Sequence, residues 1–240
     1  MFTILSIDWD YFVEADANYR AIHFPDIPNE KYAMSLQDAI WVSRYAADDS
    51  LAEVGYNKWV FDIVKHVERT PHVVVADSHR WLVPYAIQFL QEENEKTIEL
   101  LNIDFHSDVR DDTQTLDCGN WLSILMEQYH GDYSWLGWKD SFRKGVPKRL
   151  QFMTDPWQAI RKIKKVSWDM VFICKSGMWS PPHLDTAFEE VFRPLTEDTF
   201  SRVDVQTDIW TNRYERLLPS IKSMRESLAN FMGTNNGRKS

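Results

Sequence analysis

Apolar and polar positions fall into short blocks along this chain, and three of the apolar blocks stop abruptly on acidic and imidazole residues. Residues 98–103 read Ile-Glu-Leu-Leu-Asn-Ile and run into Asp104-Phe105-His106-Ser107-Asp108. Phe2-Thr3-Ile4-Leu5-Ser6-Ile7 runs into Asp8-Trp9-Asp10, and His72-Val73-Val74-Val75-Ala76 into Asp77-Ser78-His79. Such a run is the pattern of a buried parallel strand that delivers polar side chains at its C-terminal edge, where open α/β sheets place their ligands. Residues at alternate positions share one side while the backbone stays extended.

The same patterning predicts strands at 2–10, 72–76, 97–104 and 168–174, with a short one at 133–138. Helical spacing predicts helices over 35–45 with Ser35 as cap, from Asn57 to just before Pro71, over 81–93, through 121–126, and from Pro156 to 165. Two short helices are then expected before a long one over 208–232, which Pro219 should kink or divide. Residues 11–34 read as a long loop beside the polar strand ends, 139–149 as a basic surface segment, and 233–240 as a disordered tail. Strands alternating with helices, without repeats or an evident linker, predict a single domain over 1–232. Its class is α/β, three layers with a mainly parallel sheet covered on both faces.

Composition narrows the function. A net charge of −9 argues against nonspecific binding to nucleic acid or an anionic membrane, and is compatible with a cationic substrate. Eleven Trp is a rich supply of rings for pockets as well as core. Two cysteines, Cys118 and Cys174, give no disulfide framework, and no apolar run is long enough to span a bilayer. The expected compartment is cytoplasmic.

The clustered chemistry comprises Asp8, Asp10, His79, Asp104, His106 and Asp108 on three strand ends. Carboxylates and imidazoles packed this closely repel or stay unpaired unless a cation sits among them. Mixed nitrogen and oxygen donors with excess negative charge suit a pair of divalent ions such as Mn²⁺ better than a thiolate-bound zinc. An apolar strand ending in Asp-x-Asp also opens the haloacid-dehalogenase-type phosphatases, in which the first Asp is a nucleophile. Here Tyr11 and Phe12 follow, where that family has Thr or Val and Gly-rich turns.

The six-residue inventory resembles the ureohydrolases, the arginase and agmatinase superfamily. Ser6-Ile7-Asp8-Trp9-Asp10-Tyr11-Phe12, Ser78-His79, the Asp104–Asp108 run, Cys118-Gly119-Asn120-Trp121 and Trp179-Ser180-Pro181-Pro182 are most similar to its divergent peptide arginases. The likeness spans residues 1–190 and implies an arginase-like fold binding two Mn²⁺. It implies that Asp104 and Asp8 bridge, that His79 and Asp108 complete one metal, and that His106 and Asp10 complete the other. Asp10, Asp104 and His106 are the implied catalytic residues, with Asn120, Trp121 and Trp179 at the substrate. For Cys118, Trp121 and Trp179, core packing is the competing reading. The implied reaction is hydrolysis of the arginine guanidinium in a ribosomally made precursor peptide, giving ornithine and urea. No recognition set for free arginine is evident, which favours the peptide.

Three departures accompany the resemblance. The Asp-x-Asp strand comes first rather than last, Leu122 stands where arginases carry a proton-shuttling His, and the late Glu near the guanidinium is not placed by the motifs: the loop after 168–174, where it is expected, carries Met178 at its tip, which leaves the role to another carboxylate. A non-catalytic relative that keeps its metals as a staple for peptide binding is therefore a third expectation beside hydrolase and phosphatase. His130 and His183 are expected to be surface histidines.

Overall fold

A computed structural model describes residues 1–25, 34–67, 70–111, 115–143, 145–197, 201–205 and 210–236. Among the described residues, seven strands form one sheet: β1 (Phe2–Asp8), β2 (His72–Ala76), β3 (Thr97–Ile103), β4 (His130–Leu136), β5 (Leu150–Met153), β6 (Met170–Cys174) and β7 (Ser201–Val205). Their order is β5-β4-β3-β1-β6-β2-β7, and every pairing is parallel. The α/β class and three-layer arrangement expected from the sequence are what the chain adopts.

Alternation along the strands divides the core. Leu5, Ile7, Val73, Val75, Leu101, Ile103, Val171 and Ile173 pack to one side, with residues of α2 (Met34–Ala47), α3 (Val60–Val67), α6 (Pro156–Ile163), α7 (Asp185–Phe192) and α9 (Arg213–Asn236). Phe2, Ile4, Val74, Ala76, Ile98, Leu100, Met170, Phe172 and Cys174 pack to the other, against α4 (Leu82–Glu92) and α5 (Trp121–Gln128). Residues two apart share a face, so Asp8 follows Ile4 and Asp104 follows Leu100 onto the α4/α5 side.

Register then does the work of assembly. Ile7 lies beside Ile103, Asp8 beside Cys174, and Cys174 beside Ala76. The residues that follow these positions on β1, β2, β3 and β6 therefore emerge along one edge. The chain leaves β1, places β2 two strands away and returns to add β3 on the opposite flank, so this edge is also a topological switch point.

Several expectations are revised. The first strand ends at Asp8, because that side chain accepts the Asp10 N–H at 2.9 Å and starts a short 3₁₀ turn over Trp9–Phe12. The expected loop 11–34 contains helix α1 (Ala17–His23), capped by Asp16, while residues 26–33 lie outside the described residues. Strand β5 is a four-residue strand too short to announce itself, and β7 has polar residues at alternate positions. The one-turn α8 (Pro194–Glu197) is among the short helices foreseen.

Helix α9 runs unbroken through Pro219 and continues past 232 to Asn236, so residues 233–236 are helical rather than tail; 237–240 lie outside the described residues. Pro219 and Glu215 are both exposed, so water can satisfy the Glu215 carbonyl that the missing N–H leaves free. Among the described residues no helix is long and apolar enough to cross a membrane.

The loop leaving β6 is anchored by a buried ion pair. Lys175 is fully inaccessible; its Nζ lies 2.7 Å from Asp185 Oδ1 at the start of α7 and 3.0 Å from Ser180 Oγ. Burial raises the Asp185 carboxyl, opposed by the Lys175 charge. Replacing Lys175 with Met strands that carboxylate, and a loss of about 3–5 kcal/mol of unfolding free energy is expected in urea denaturation. A midpoint equal to that of the parent would show the pair is not an anchor.

Candidate metal centre

Backbone geometry at three strand ends turns six side chains toward one point. The Asp104 carboxylate accepts the His106 N–H at 2.7 Å and so curls the chain after β3. Asp108 closes that curl in the left-handed region, φ 51°, which a short polar residue tolerates, and its carbonyl accepts the Leu122 N–H at the start of α5. At the end of β2, the Ser78 side chain caps a 3₁₀ turn that begins at His79 and buries the imidazole.

Two donor groups share Asp104, and a third sets Asp8 and His79 beside Cys174. In the first, His79 Nδ1 lies 3.1 Å from Asp8 Oδ2, 3.3 Å from Asp104 Oδ2 and 3.3 Å from Asp108 Oδ2. In the second, His106 Nδ1 lies 3.0 Å from Asp10 Oδ2 and 3.8 Å from Asp104 Oδ1. The two oxygens of Asp104 thus face different imidazoles. All six residues singled out in the sequence meet here. Asp8 stands with the His79 group through Oδ2, while its Oδ1 is engaged by the Asp10 N–H.

A supporting layer holds these groups in place. Ser6 Oγ lies 2.9 Å from His79 Nε2, leaving Nδ1 to the carboxylates. Ser176, at φ 50°, donates its hydroxyl to Asp8 Oδ2 at 2.6 Å. Arg20 is buried, stacks on Phe105 at 4.1 Å, and donates to the carbonyls of Asp10, Val13 and Ala15. None of the three stood out in the sequence. Ser6 carried a faint signal, lying two residues before Asp8 on the same face of β1; Arg20 and Ser176 act through tertiary contacts alone.

Electrostatics follow from burial and crowding. Burial, then the charges of Asp108, Asp8 and Asp10, lifts Asp104 well above the usual carboxylate range, and burial followed by Asp10 raises Asp8. For Asp10 burial acts upward, but His106 and Arg20 outweigh it and hold the group low. Burial would lower both imidazoles, yet Cys174, Asp108 and Asp8 around His79, and Asp10 and Asp108 around His106, raise them.

The donor set fits a pair of divalent ions. Four carboxylates outnumber the two imidazoles, and the fully buried Asp10 Oδ2 faces the His106 imidazole, at 3.0 Å. Nitrogen and oxygen donors of this mixture suit hard-to-borderline ions such as Mn²⁺. Cys174 is near enough to join Asp8 and His79, but burial raises its thiol strongly, and it bonds Ser176 Oγ and the Asp77 carbonyl instead.

A pocket of about 390 Å³ opens over the cluster, with Asp8, His79 and Asp108 at its base. Trp179 lines it, tilted against His106 at 4.7 Å, as do Phe105, Phe142 and Cys118. Trp121 does not line it: buried behind the ligands, it donates Nε1 to Asp108 Oδ2 at 2.5 Å and stacks on His79 at 5.0 Å. Asn120 is also buried outside the lining. Its amide bonds the Asp117 N–H and the Thr115 carbonyl and shapes the loop before α5. Both were expected at the substrate; packing of α5 against the sheet places them one layer back.

Met178 is buried, and among the described residues the pocket's only carboxylates are Asp8 and Asp108. Leu122 belongs to the core. His183 is not a surface residue: its nitrogens contact Tyr45 OH at 2.5 Å and the Val54 carbonyl at 2.7 Å. His130 is exposed, as expected.

Compared with protein-family models, curated proteins and solved structures, the chain matches none.

A metal-free centre has a defined pH signature. Asp8, Asp104, His79 and His106 are all raised, so the folded chain keeps protons that the unfolded chain releases. Their contribution is complete below the ordinary values, 3.8 for Asp and 6.5 for His, and is lost as pH rises through the folded values. Asp10 is lowered and acts oppositely, contributing above 3.8 and losing that contribution in acid. Chelated protein should therefore show a Tm that falls from about pH 6 to about pH 9, while the gain from added Mn²⁺ grows, because ligands must be deprotonated to bind. A gain that is absent or independent of pH contradicts a metal centre. Trp121→Phe, which removes the bond to Asp108, should weaken metal binding about 10–100-fold in chelator competition while leaving the fold intact.

Proposed function

We propose that this chain is a two-metal hydrolase of the arginine guanidinium group, loaded with two Mn²⁺ and acting on arginine within a ribosomally made peptide. The observation that carries the reading is the shared carboxylate: Asp104 turns one oxygen to the His79 group and the other to the His106 group. A carboxylate shared by two nitrogen-and-oxygen donor groups would let a pair of ions sit close enough to act on one water. The likeness of the sequence to peptide arginases supplies the substrate.

Two Mn²⁺ held there would supply Lewis acidity and a water deprotonated near neutral pH. His79, Asp8, Asp104 and Asp108 would hold one, and His106, Asp10 and Asp104 the other. The buried Asp10 carboxylate, whose Oδ2 faces the His106 imidazole at 3.0 Å, would accept a hydrogen bond from that water. The half-exposed His106 and Trp179 stand at the pocket and would flank the guanidinium plane, an arrangement in which aromatic faces stabilise a cation. Water adds to the guanidinium carbon, the Cζ–Nε bond breaks, and the amine leaves protonated, giving urea and ornithine.

A peptide suits the pocket better than free arginine. Its upper wall is apolar and aromatic, and Arg110 at that wall is already paired with Asp117. A nucleophilic role for Asp8, as a phosphatase requires, is disfavoured because both its oxygens are engaged, by the Asp10 N–H, Ser176 and His79. One observation favours a non-catalytic, metal-stabilised peptide binder: no carboxylate beyond the ligands lines the pocket among the described residues.

The test is metal content with urea release. Protein purified without chelator and loaded with Mn²⁺ is offered free arginine, agmatine and an arginine-containing precursor peptide. Two Mn²⁺ per chain are expected, with urea from the peptide and a loss of CH₂N₂ from its mass per arginine. His106→Ala should lower turnover by more than about a hundredfold. Two metals without urea from any guanidine select the non-catalytic binder, whereas Mg²⁺-supported phosphatase activity that survives His79→Ala selects the phosphatase.

A further inference from the structure

A second pocket, of about 290 Å³, lies beside the loops that carry the metal ligands, and Tyr11, Trp59 and Trp138 are among the residues that line it. Tyr11 stands nearly perpendicular to both indoles: 88° to Trp59 with centroids 5.8 Å apart, and 79° to Trp138 at 6.3 Å. Trp138 is fixed by its Nε1, which donates to the Tyr11 carbonyl at 2.9 Å, and by its N–H, which donates to Ser141 Oγ at 2.8 Å. The Ser141 hydroxyl donates onward to the Phe105 carbonyl at 2.7 Å, and the Trp138 ring packs against Phe105 at 5.8 Å. Phe105 immediately precedes His106, so this pocket is tied directly to the candidate metal centre.

Trp59 and Trp138 are only half-buried, so their packing leaves ring surface facing the pocket. Tyr11 is buried and packs edge-to-face with both indoles, so the ring surface open to the pocket is that of Trp59 and Trp138, and an open indole face favours a cation over a neutral group of the same shape. Lys139 and Asp140 both line the pocket, so its own walls carry no net charge, and the Asp140 carboxylate already accepts the Ala17 N–H at 2.8 Å. The bridge between Val13 and Tyr56 joins the two segments that carry Tyr11 and Trp59, and just past it Glu14 and Glu53 line a neighbouring depression with no Lys or Arg in its walls. A guanidinium suits indole walls better than an ammonium, being planar and more weakly hydrated.

We propose that Tyr11, Trp59 and Trp138 form a cage for a second arginine side chain of the same peptide, so that the protein reads paired arginines and processes the one in the metal pocket. The identity of the ligand rests on the peptide reading above; the cage itself does not.

The experiment titrates N-acetyl-arginine amide and its neutral counterpart N-acetyl-citrulline amide into ¹⁵N-indole-labelled protein, with Mg²⁺ replacing paramagnetic Mn²⁺. The arginine probe should shift the Trp59 indole N–H, and citrulline should bind about threefold to thirtyfold more weakly. Trp59→Leu should abolish the arginine-dependent shift of the Trp138 indole N–H and raise the KM of a two-arginine peptide. Equal affinity for citrulline, or an arginine response confined to Trp179, overturns the cage; the comparison of probes in the unaltered protein holds even if the variant misfolds. Urea release with a silent Trp59 defeats the cage alone, and a responsive Trp59 without urea from any peptide defeats the hydrolase alone.

Discussion

Mutual repulsion among four buried carboxylates is the constraint to which the rest of this structure answers. Asp8, Asp10, Asp104 and Asp108 sit at the C-terminal edge of adjacent strands, each inaccessible or nearly so. Burial first, and then the charges of Asp108, Asp8 and Asp10, lift the proton affinity of Asp104. Two imidazoles and the guanidinium of Arg20 relieve part of this, and the arrangement of Asp104 between two donor groups leaves room in its logic for cations to relieve the remainder.

Holding that repulsion in place demands a rigid surround, and the sheet provides it. Parallel register places Asp8 beside Cys174 and carries Asp104 and His79 to the same edge. Behind them, apolar rings exclude water: His79 lies between Trp121 and Phe172, with centroids at 5.0 and 5.6 Å. The loop after β6, which supplies Ser176 to Asp8 and Trp179 to the pocket, is anchored from beneath by Lys175 and Asp185, and Gly177 lets Asp77 and Arg213 approach where a Cβ would stand 2.8 Å from Asp77 Oδ1. The tryptophan-rich composition thus serves two ends, stiffening the layer behind the ligands and forming pocket walls in front of them.

The chain's own patterning determined much of this. Near-continuous apolar runs that end in Asp and His specified the central strands, their parallel pairing and the edge on which the chemistry lies, because a strand buried on both faces has no other reason to end in so many polar groups. The six clustered residues were legible for the same reason: alternation fixes which side chains share a face, and the short motifs leave little freedom in how they turn. Helices with a clear 3.6-residue period were legible too, as α3 and α4 illustrate.

Only the tertiary structure decided the rest, and the cause in each case is contact between distant segments. Edge strands β5 and β7 are short or polar and depend on a neighbour to complete their hydrogen bonds. Pro219 is accommodated because its helix turns that face to solvent, which local sequence does not state. Trp121, Asn120 and Trp179 carried the same expectation of meeting the substrate, yet α5 packing puts the first two behind the ligands while the loop after β6 puts the third in the pocket. Ser6, Arg20 and Ser176 gain their roles from partners up to 168 positions away, and the perpendicular rings of Tyr11, Trp59 and Trp138 meet across three separate segments. Spacing along a chain specifies which groups point the same way; which of them touch is set by how the layers close.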